Sequence, residues 1–168
     1  MAEENRNELA ITRIFDAPVE LVWKAWTDPE MFKKWWGPKD FTCPVAKIDL
    51  RVGGKYHAGM HGPAGSDFDK DLWSTGVYKE IVPMEKIVVT DSFADEKGNA
   101  VPPTHYGMPE AFPMESTIII TFEEQDSKTR MTLHYQSTEG IEGAMLDDMT
   151  QGWNESFDKL AECLKGAE

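Results

Sequence analysis

The chain has 168 residues, of which 40% are hydrophobic and 28% are charged, as is typical of a folded globular domain. Its net charge of -13 repels phosphate backbones and anionic lipid headgroups, so nucleic acids and membranes are not expected partners. The sequence lacks a membrane-length apolar run, and its acidic, polar start differs from a signal peptide. We therefore expect a cytoplasmic protein with a single domain over residues 1–168.

The first predicted elements are a strand over residues 8–15 and two short helices. Apolar and polar residues alternate in the strand, which stops before Pro18, a residue favoured at the first position of a helix. Asp28 and Pro29 repeat this signal for the second helix, which ends at Gly37. Two such short helices cannot form a core alone, so they are expected to lie against a sheet.

Six further strands are predicted from a change to a two-residue period, at 42–50, 53–61, 71–82, 85–93, 116–124 and 129–136. Tight reversals at Gly53-Gly54 and at Pro83 make successive strands antiparallel. Residues 94–113 contain four prolines and two glycines and are predicted to be irregular. A structureless segment of this length is often a lid or a binding loop.

A long C-terminal helix is predicted after Gly140, because apolar residues recur there at spacings of three and four. Its buried face would comprise Met145, Met149, Trp153, Phe157, Leu160 and Leu164. Gly152 lies within this helix at a cost of about 1 kcal/mol relative to alanine. A close backbone approach or a helix kink is therefore expected at Gly152.

Several segments carry a resemblance to a known superfamily: FDAPVELVWKAWTDPE at 15–30, WWGP at 35–38, VGGKY at 52–56, TGVYKEIVP at 75–83 and GWNESFDKL at 152–160. In their order and spacing, the chain resembles START-like, helix-grip proteins. Within these it is similar to the family named after the C-terminal domain of the activator of the heat-shock-protein-90 ATPase. The resemblance implies an α+β fold, in which a curved seven-stranded antiparallel sheet grips the C-terminal helix around a cavity.

Six tryptophans and nine methionines suggest a pocket, although a fully packed core would also use such side chains. Relatives of the family include lipid and polyketide binders, cyclases and co-chaperones. We predict a cavity for a small hydrophobic or amphipathic molecule, in which Tyr56, Tyr106 or Glu115 orients the ligand. The predicted lining is Trp26, Tyr56, Met60, Trp73, Tyr106, Met108, Glu115, Met145, Met149 and Trp153.

Other kinds of site have weaker support. His57 and His61 share one strand face but lack a nearby third ligand, so no metal is expected and both should face solvent. No motif indicates an organic cofactor, and no set of catalytic residues can be assembled. His105 and Tyr106 leave a cyclase- or hydrolase-like enzyme open, and a module that associates with the heat-shock ATPase is the other alternative.

The remaining predictions concern the cysteines and the assembly of the chain. Cys43 and Cys163 are expected to be buried, reduced thiols. The protein is expected to be a monomer or a weak homodimer.

Overall fold

The computed structural model of the chain describes residues 9–141 and 143–166. These residues form a seven-stranded sheet and three α-helices, in the predicted order of strand, two helices, six strands and long helix. Within the two ranges, no helix combines the length and the apolar character needed to cross a bilayer. The elements are β1 (Ala10–Phe15), α1 (Val19–Thr27), α2 (Pro29–Trp35), β2 (Thr42–Ile48), β3 (Lys55–His61), β4 (Asp71–Val82), β5 (Lys86–Ala94), β6 (Ser116–Gln125), β7 (Lys128–Tyr135) and α3 (Gly143–Gly166).

The sheet has the strand order β1-β7-β6-β5-β4-β3-β2, and every neighbouring pair is antiparallel. It curls into a half-barrel whose inner face receives the helices, which confirms the predicted α+β helix-grip fold. A bulge between Tyr78 and Glu80 interrupts the ladder of β4 with β5. Such bulges bend a strand, as a curled sheet requires.

Asp28 joins α1 to α2. Its backbone N–H donates to the carbonyl of Lys24 at 2.8 Å, and its carboxylate accepts from the backbone N–H of Glu30 at 3.3 Å. Pro29 occupies the first turn of α2, where its missing N–H costs no hydrogen bond. The same residue therefore ends one helix and begins the next, as the sequence predicted.

The core lies between the inner sheet face and the helices. Trp35 is fully buried, and its indole N–H donates to the carbonyl of Ala25 at 2.9 Å, which fixes α2 on α1. Fully burying a Leu or Phe side chain contributes about 1.5–3 kcal/mol. The sheet side of the core includes Ile11, Ile87, Val89, Ile118, Ile120, Phe122, Met131, Leu133 and Tyr135.

Helix α3 is buried unevenly along its length. In its C-terminal half, Phe157, Leu160 and Leu164 are buried in the core. In its N-terminal half, Leu146 is buried, whereas Met145, Met149 and Trp153 are only half-buried. The predicted apolar stripe is therefore present, but its first half covers the sheet loosely.

Gly152 does not have the close contact that its position suggested. Helix α3 runs unbroken through it, and a Cβ built there would lie 3.6 Å from Cγ of Pro38, an ordinary contact distance. Nothing in this packing therefore requires glycine.

Residues 94–113 are tied to the end of the sheet. They contain one short 3-10 helix, from Pro103 to Tyr106. The Tyr106 hydroxyl donates to the carbonyl of Ala94 at 2.5 Å and accepts from the backbone N–H of Trp73 at 3.3 Å. The Phe93 ring packs against Tyr106, with centroids 5.4 Å apart. Side-chain anchors therefore replace regular secondary structure in this segment.

Neither cysteine is in a disulfide. Cys43 is buried, which raises the pKa of its thiol to about 11, and Cys163 is half-buried. The prediction of reduced thiols is confirmed for both residues, and that of burial only for Cys43.

Candidate functional site

An apolar cavity lies between the inner sheet face and the helices. It has a volume of about 30 Å³, enough for one water-sized molecule rather than for an organic ligand. The predicted small-molecule-sized cavity is therefore not open in this structure, because aromatic rings occupy the space. The lining residues are Trp26, Phe32, Trp36, Tyr56, Tyr78, Ile87, Val89, Ile118, Ile120 and Trp153.

Three tryptophan rings, those of Trp26, Trp36 and Trp153, close the cavity on the helix side. Trp36 meets Trp153 edge-to-face with centroids 5.4 Å apart, and it meets Tyr56 in the same manner at 6.1 Å. Trp153 also stacks against Trp26 at 6.4 Å. Edge-to-face pairs contribute about 0.5–1.5 kcal/mol beyond area burial. Trp36 and Trp153 remain half-buried, so they separate the cavity from solvent.

Asp91 and Tyr56 form the polar end of this apolar surface. Asp91 follows Ile87 and Val89 on the inward-facing side of β5, and Tyr56 projects inward from β3. The Tyr56 hydroxyl donates a short hydrogen bond to Oδ1 of Asp91. This hydrogen bond links β3 to β5 across β4, which lies between them in the sheet.

Gly76 allows this link to form. It lies opposite Tyr56 on β4, beneath the path of the tyrosine ring toward β5. A Cβ at position 76 would lie 2.6 Å from Cε1 of Tyr56 and 1.8 Å from the carbonyl oxygen of Thr90. Any larger residue would therefore displace the ring or the neighbouring strand.

Burial perturbs the acid–base behaviour of this end of the cavity. Desolvation raises the pKa of Asp91 to about 6, against the lowering effect of the hydrogen bond from Tyr56. The pKa of Tyr56 is raised well above its usual value by desolvation and by the charge of Asp91. At neutral pH, the site therefore holds a mostly ionised carboxylate next to neutral phenols.

Tyr135 adds a second phenol to the site and connects it to α3. The indole N–H of Trp153 donates to the Tyr135 hydroxyl at 3.1 Å. Desolvation, followed by the charge of Asp91, raises the pKa of Tyr135, which places its hydroxyl within the field of that carboxylate. The hydrogen bond holds Trp153 over the polar end of the cavity.

Three of the ten predicted lining residues line the cavity, and three others lie on the same side of the sheet. Trp26, Tyr56 and Trp153 line the cavity. Met149 packs on the core beside them, one turn of α3 before Trp153, and Met145 lies half-buried one turn earlier still. Met60 shares the inward face of β3 with Tyr56 but does not line the cavity.

The other predicted lining residues lie elsewhere. Trp73 pairs with Gly59 on β3, which puts it on the outer sheet face, where it stacks on His57 with centroids 4.8 Å apart. Tyr106 and Met108 belong to the segment anchored at the sheet end, and Glu115 is exposed before β6. None of these four residues lines the cavity, because strand register or local anchoring directs them away from it.

Asp91 is the main site residue that the sequence interpretation missed. In the segment KIVVTDSFA, it shares the alternating face of Ile87 and Val89, a face that is otherwise apolar. An acidic residue on the buried face of a strand is an informative signal, because such burial requires a partner or a function. Its partner Tyr56 is 35 residues away in sequence, so only the fold reveals the pair.

The histidines do not form a metal site. Within residues 9–141 and 143–166, no group of three metal-ligating side chains comes together. Both nitrogens of His61 instead bind carboxylates, with Nε2 at 2.7 Å from Asp69 and Nδ1 at 2.8 Å from Asp71. His57 is half-buried beneath Trp73 and contacts the carbonyl of Asp95 at 3.1 Å.

A curled antiparallel sheet that holds a long C-terminal helix over an apolar inner face defines a START-like, helix-grip protein. Proteins of this class commonly bind hydrophobic ligands. The sequence profile described as "Activator of Hsp90 ATPase homolog 1-like protein" matches residues 16–165. The chain belongs to this family, as the resemblance implied.

Solved structures of bacterial proteins share the fold. Protein Ms6760 from Mycobacterium smegmatis has 26% sequence identity and a TM-score of 0.77, covering 98% of this chain and 94% of its own. Protein CV1439 from Chromobacterium violaceum has 26% identity and a TM-score of 0.74, covering 94% and 96%. The AHSA1 protein from Silicibacter pomeroyi, with 20% identity, a TM-score of 0.73 and coverage of 96% and 99%, supports the fold alone. Curated proteins provide no match.

Proposed function

We propose that this protein binds one small hydrophobic or amphipathic organic molecule between the inner sheet face and α3, in the cytoplasm and without a metal or organic cofactor. The observation that carries the proposal is an inner face that is apolar and aromatic but ends at Tyr56 and Asp91. Ligand pockets have this composition, a mostly apolar lining with a few placed polar groups.

A ligand must displace side chains to enter, because the cavity measures only about 30 Å³. Trp36, Met149 and Trp153 are half-buried and lie at the loosely packed half of α3. Methionine side chains adapt readily to irregular shapes. We therefore expect ligand entry to move this part of α3, while Phe157 and Leu160 keep the other half anchored.

The test uses N-phenyl-1-naphthylamine, a neutral apolar probe whose fluorescence rises in apolar surroundings. The native protein should bind one probe per chain. The variant Val89→Phe, which fills the cavity, should weaken binding by about tenfold or more. Val52→Phe adds the same bulk at a position that is 63% exposed, and it should bind the probe as the native chain does.

The proposal fails if the native protein does not bind the probe, or if Val89→Phe and Val52→Phe bind it equally. Thermal melts of both variants establish that each one is folded. Native mass spectrometry of freshly purified protein then reports any molecule retained from the cell, together with the number of subunits. A retained molecule would support the proposal independently.

A cyclase- or hydrolase-like enzyme is the second candidate, and Asp91 favours it. A general base works best when its pKa lies near the working pH, and the pKa of Asp91 is raised to about 6. Hydrolysis of a p-nitrophenyl ester is a first assay. Asp91→Asn should abolish the turnover, whereas His105→Gln should retain it because His105 is exposed outside the cavity. Equal turnover in the native chain and both variants would remove this candidate.

An interaction with a heat-shock ATPase is the third candidate, and the family description is what favours it. The assay measures the ATPase rate of the host cell's own chaperone with and without this protein. Stimulation that depends on protein concentration would support the interaction. An unchanged rate would count against it.

A further inference from the structure

Asp91 carries a charge that the described protein does not neutralise. Within residues 9–141 and 143–166, no basic side chain forms an ion pair with it. Its hydrogen-bond partner is the neutral hydroxyl of Tyr56. Asp91 is half-buried, and a carboxylate that loses part of its hydration without a cationic partner destabilises the fold. Its position beside Tyr56, which lines the apolar cavity, therefore points to a role in binding.

Electron-rich rings surround the same place. Tyr56, whose hydroxyl touches Asp91, lies with its ring 6.1 Å from Trp36 by centroids. Trp36 in turn lies 5.4 Å from Trp153, which is hydrogen-bonded to Tyr135. A cation within about 6 Å of such ring faces is attracted by the negative potential above each ring. Two tyrosines therefore lie beside the carboxylate, and two tryptophans contact those tyrosines from the helix side.

From these observations we infer that the ligand of this site is an amphipathic cation, an amine or quaternary ammonium group attached to an apolar body. This inference rests on the proposed function and specifies its ligand class. The cationic nitrogen lies near Asp91 among the rings of Trp36, Trp153, Tyr56 and Tyr135. The apolar body lies along Val89, Ile118 and Ile120 and displaces the side chains that now meet there.

Other ligand classes fit the site less well. An anionic headgroup would meet the like charge of Asp91, and the protein's net charge of -13 adds to that repulsion. A neutral alcohol would donate a hydrogen bond to Asp91 but would leave its charge uncompensated. Charge, rather than hydrogen bonding alone, should therefore determine the preference of the site.

The experiment compares three probes with the same ten-carbon chain by isothermal titration calorimetry at about pH 8, where Asp91 is ionised. The probes are decyltrimethylammonium, 1-decanol and decanoate. The native protein should bind the ammonium probe at least about tenfold more tightly than either of the others. Asp91→Asn should lose this preference but still bind decanol, and Asp91→Glu, which keeps the charge, should retain the preference.

A control variant distinguishes the site from the general negative field of the protein. Glu124→Gln removes one exposed charge from β6, with the same change in net charge as Asp91→Asn. It should leave the tenfold preference intact. Thermal melts confirm that all three variants are folded.

The possible outcomes separate the inference from the function on which it rests. If decanol or decanoate binds as tightly as the ammonium probe, or if Asp91→Asn keeps the preference, the inference is overturned and the apolar binding site stands. If Glu124→Gln loses as much preference as Asp91→Asn, the attraction is a property of the whole surface and the inference also fails. If none of the probes binds, the proposed function fails as well.

Discussion

Asp91 has an effect on the stability of the fold that follows directly from its position. Its pKa is raised from 3.8 to about 6, since burial on the inner sheet face favours the neutral acid. Tyr56 donates to it and the Tyr135 phenol lies nearby, but both are neutral in this range. The folded chain therefore holds this proton more tightly than the unfolded chain does, and the group's contribution to the unfolding free energy falls as pH rises from about 4 to about 6.

Asp91→Asn should consequently stabilise the protein at neutral pH, because it replaces a half-buried, desolvated charge by an amide of the same size. We expect an increase of about 2 to 3 kcal/mol in the free energy of unfolding at about pH 7.5, and almost none at about pH 4. Urea unfolding at both pH values measures the difference. A variant that is less stable than the native chain at neutral pH would contradict this account of Asp91.

His61 provides a second titration, of opposite sign. The carboxylates of Asp71 and Asp69 accept hydrogen bonds from the two ring nitrogens of His61 and raise its pKa above 6.5. Because the folded-state value is raised, the imidazolium stabilises the loop between β3 and β4 at low pH, and this stability is lost as pH rises through the folded-state pKa. An NMR titration should give a midpoint above 6.5 that falls in Asp71→Asn. Asp67→Asn, a change in the same loop, should leave it in place, and equal midpoints in all three proteins would contradict the assignment.

Among the elements, β4 shows why a sequence pattern can select the wrong face of a strand. Trp73 is the largest side chain in the segment DLWSTGVYKEIV, so composition alone assigns it to the apolar side. The inner face of β4 instead presents Ser74 and Gly76, because the ring of Tyr56 crosses the strand there. The need for small residues on β4 arises from a contact between β3 and β5. The periodicity of a single strand contains no information about such a contact. The order and bounds of the elements were predictable, since turn residues and periodicity determine them locally.

Helix α3 offers a test of the packing around Gly152. Since a Cβ there would lie 3.6 Å from Pro38 and the helix continues unbroken, Gly152→Ala should gain helix propensity without a clash. We expect a gain of about 0.5–1 kcal/mol and a melting temperature a few degrees higher. Circular dichroism melts measure this. An unchanged or lower melting temperature would mean that the glycine has a role beyond packing.

Replacing Gly76 by alanine should have the opposite effect on stability, because there is no space for a Cβ at this position. Its Cβ would lie 1.8 Å from a backbone oxygen of β5, so Gly76→Ala should destabilise the protein by about 3 kcal/mol or more. Equal effects at the two positions would contradict the proposed difference in their packing.

On the scale of the whole molecule, the protein combines a rigid part with a looser one. The C-terminal half of α3, helices α1 and α2, and the sheet share one continuous buried cluster, whereas Met149 and Trp153 lie at its margin and Met145 is only half-buried. The candidate site lies where these two parts meet. Binding sites are commonly located in such regions of low local stability.

Hydrogen exchange should reveal this division. Amides of residues 143–152 should exchange faster than those of residues 153–164, because fewer buried apolar contacts oppose local opening of the first half of α3. Exchange followed by mass spectrometry after pepsin digestion measures it on the native protein. Equal protection along α3 would contradict the uneven packing.

The small volume enclosed by Trp36, Trp153 and Tyr56 also has a kinetic consequence. A space of about 30 Å³ cannot admit an organic molecule on encounter, so a transient expanded conformer must be the one that captures it. The apparent affinity is then reduced by the small population of that conformer. Stopped-flow association rates should level off at high probe concentration. The plateau should equal the rate at which the rings of Trp36, Trp153 and Tyr56 move apart.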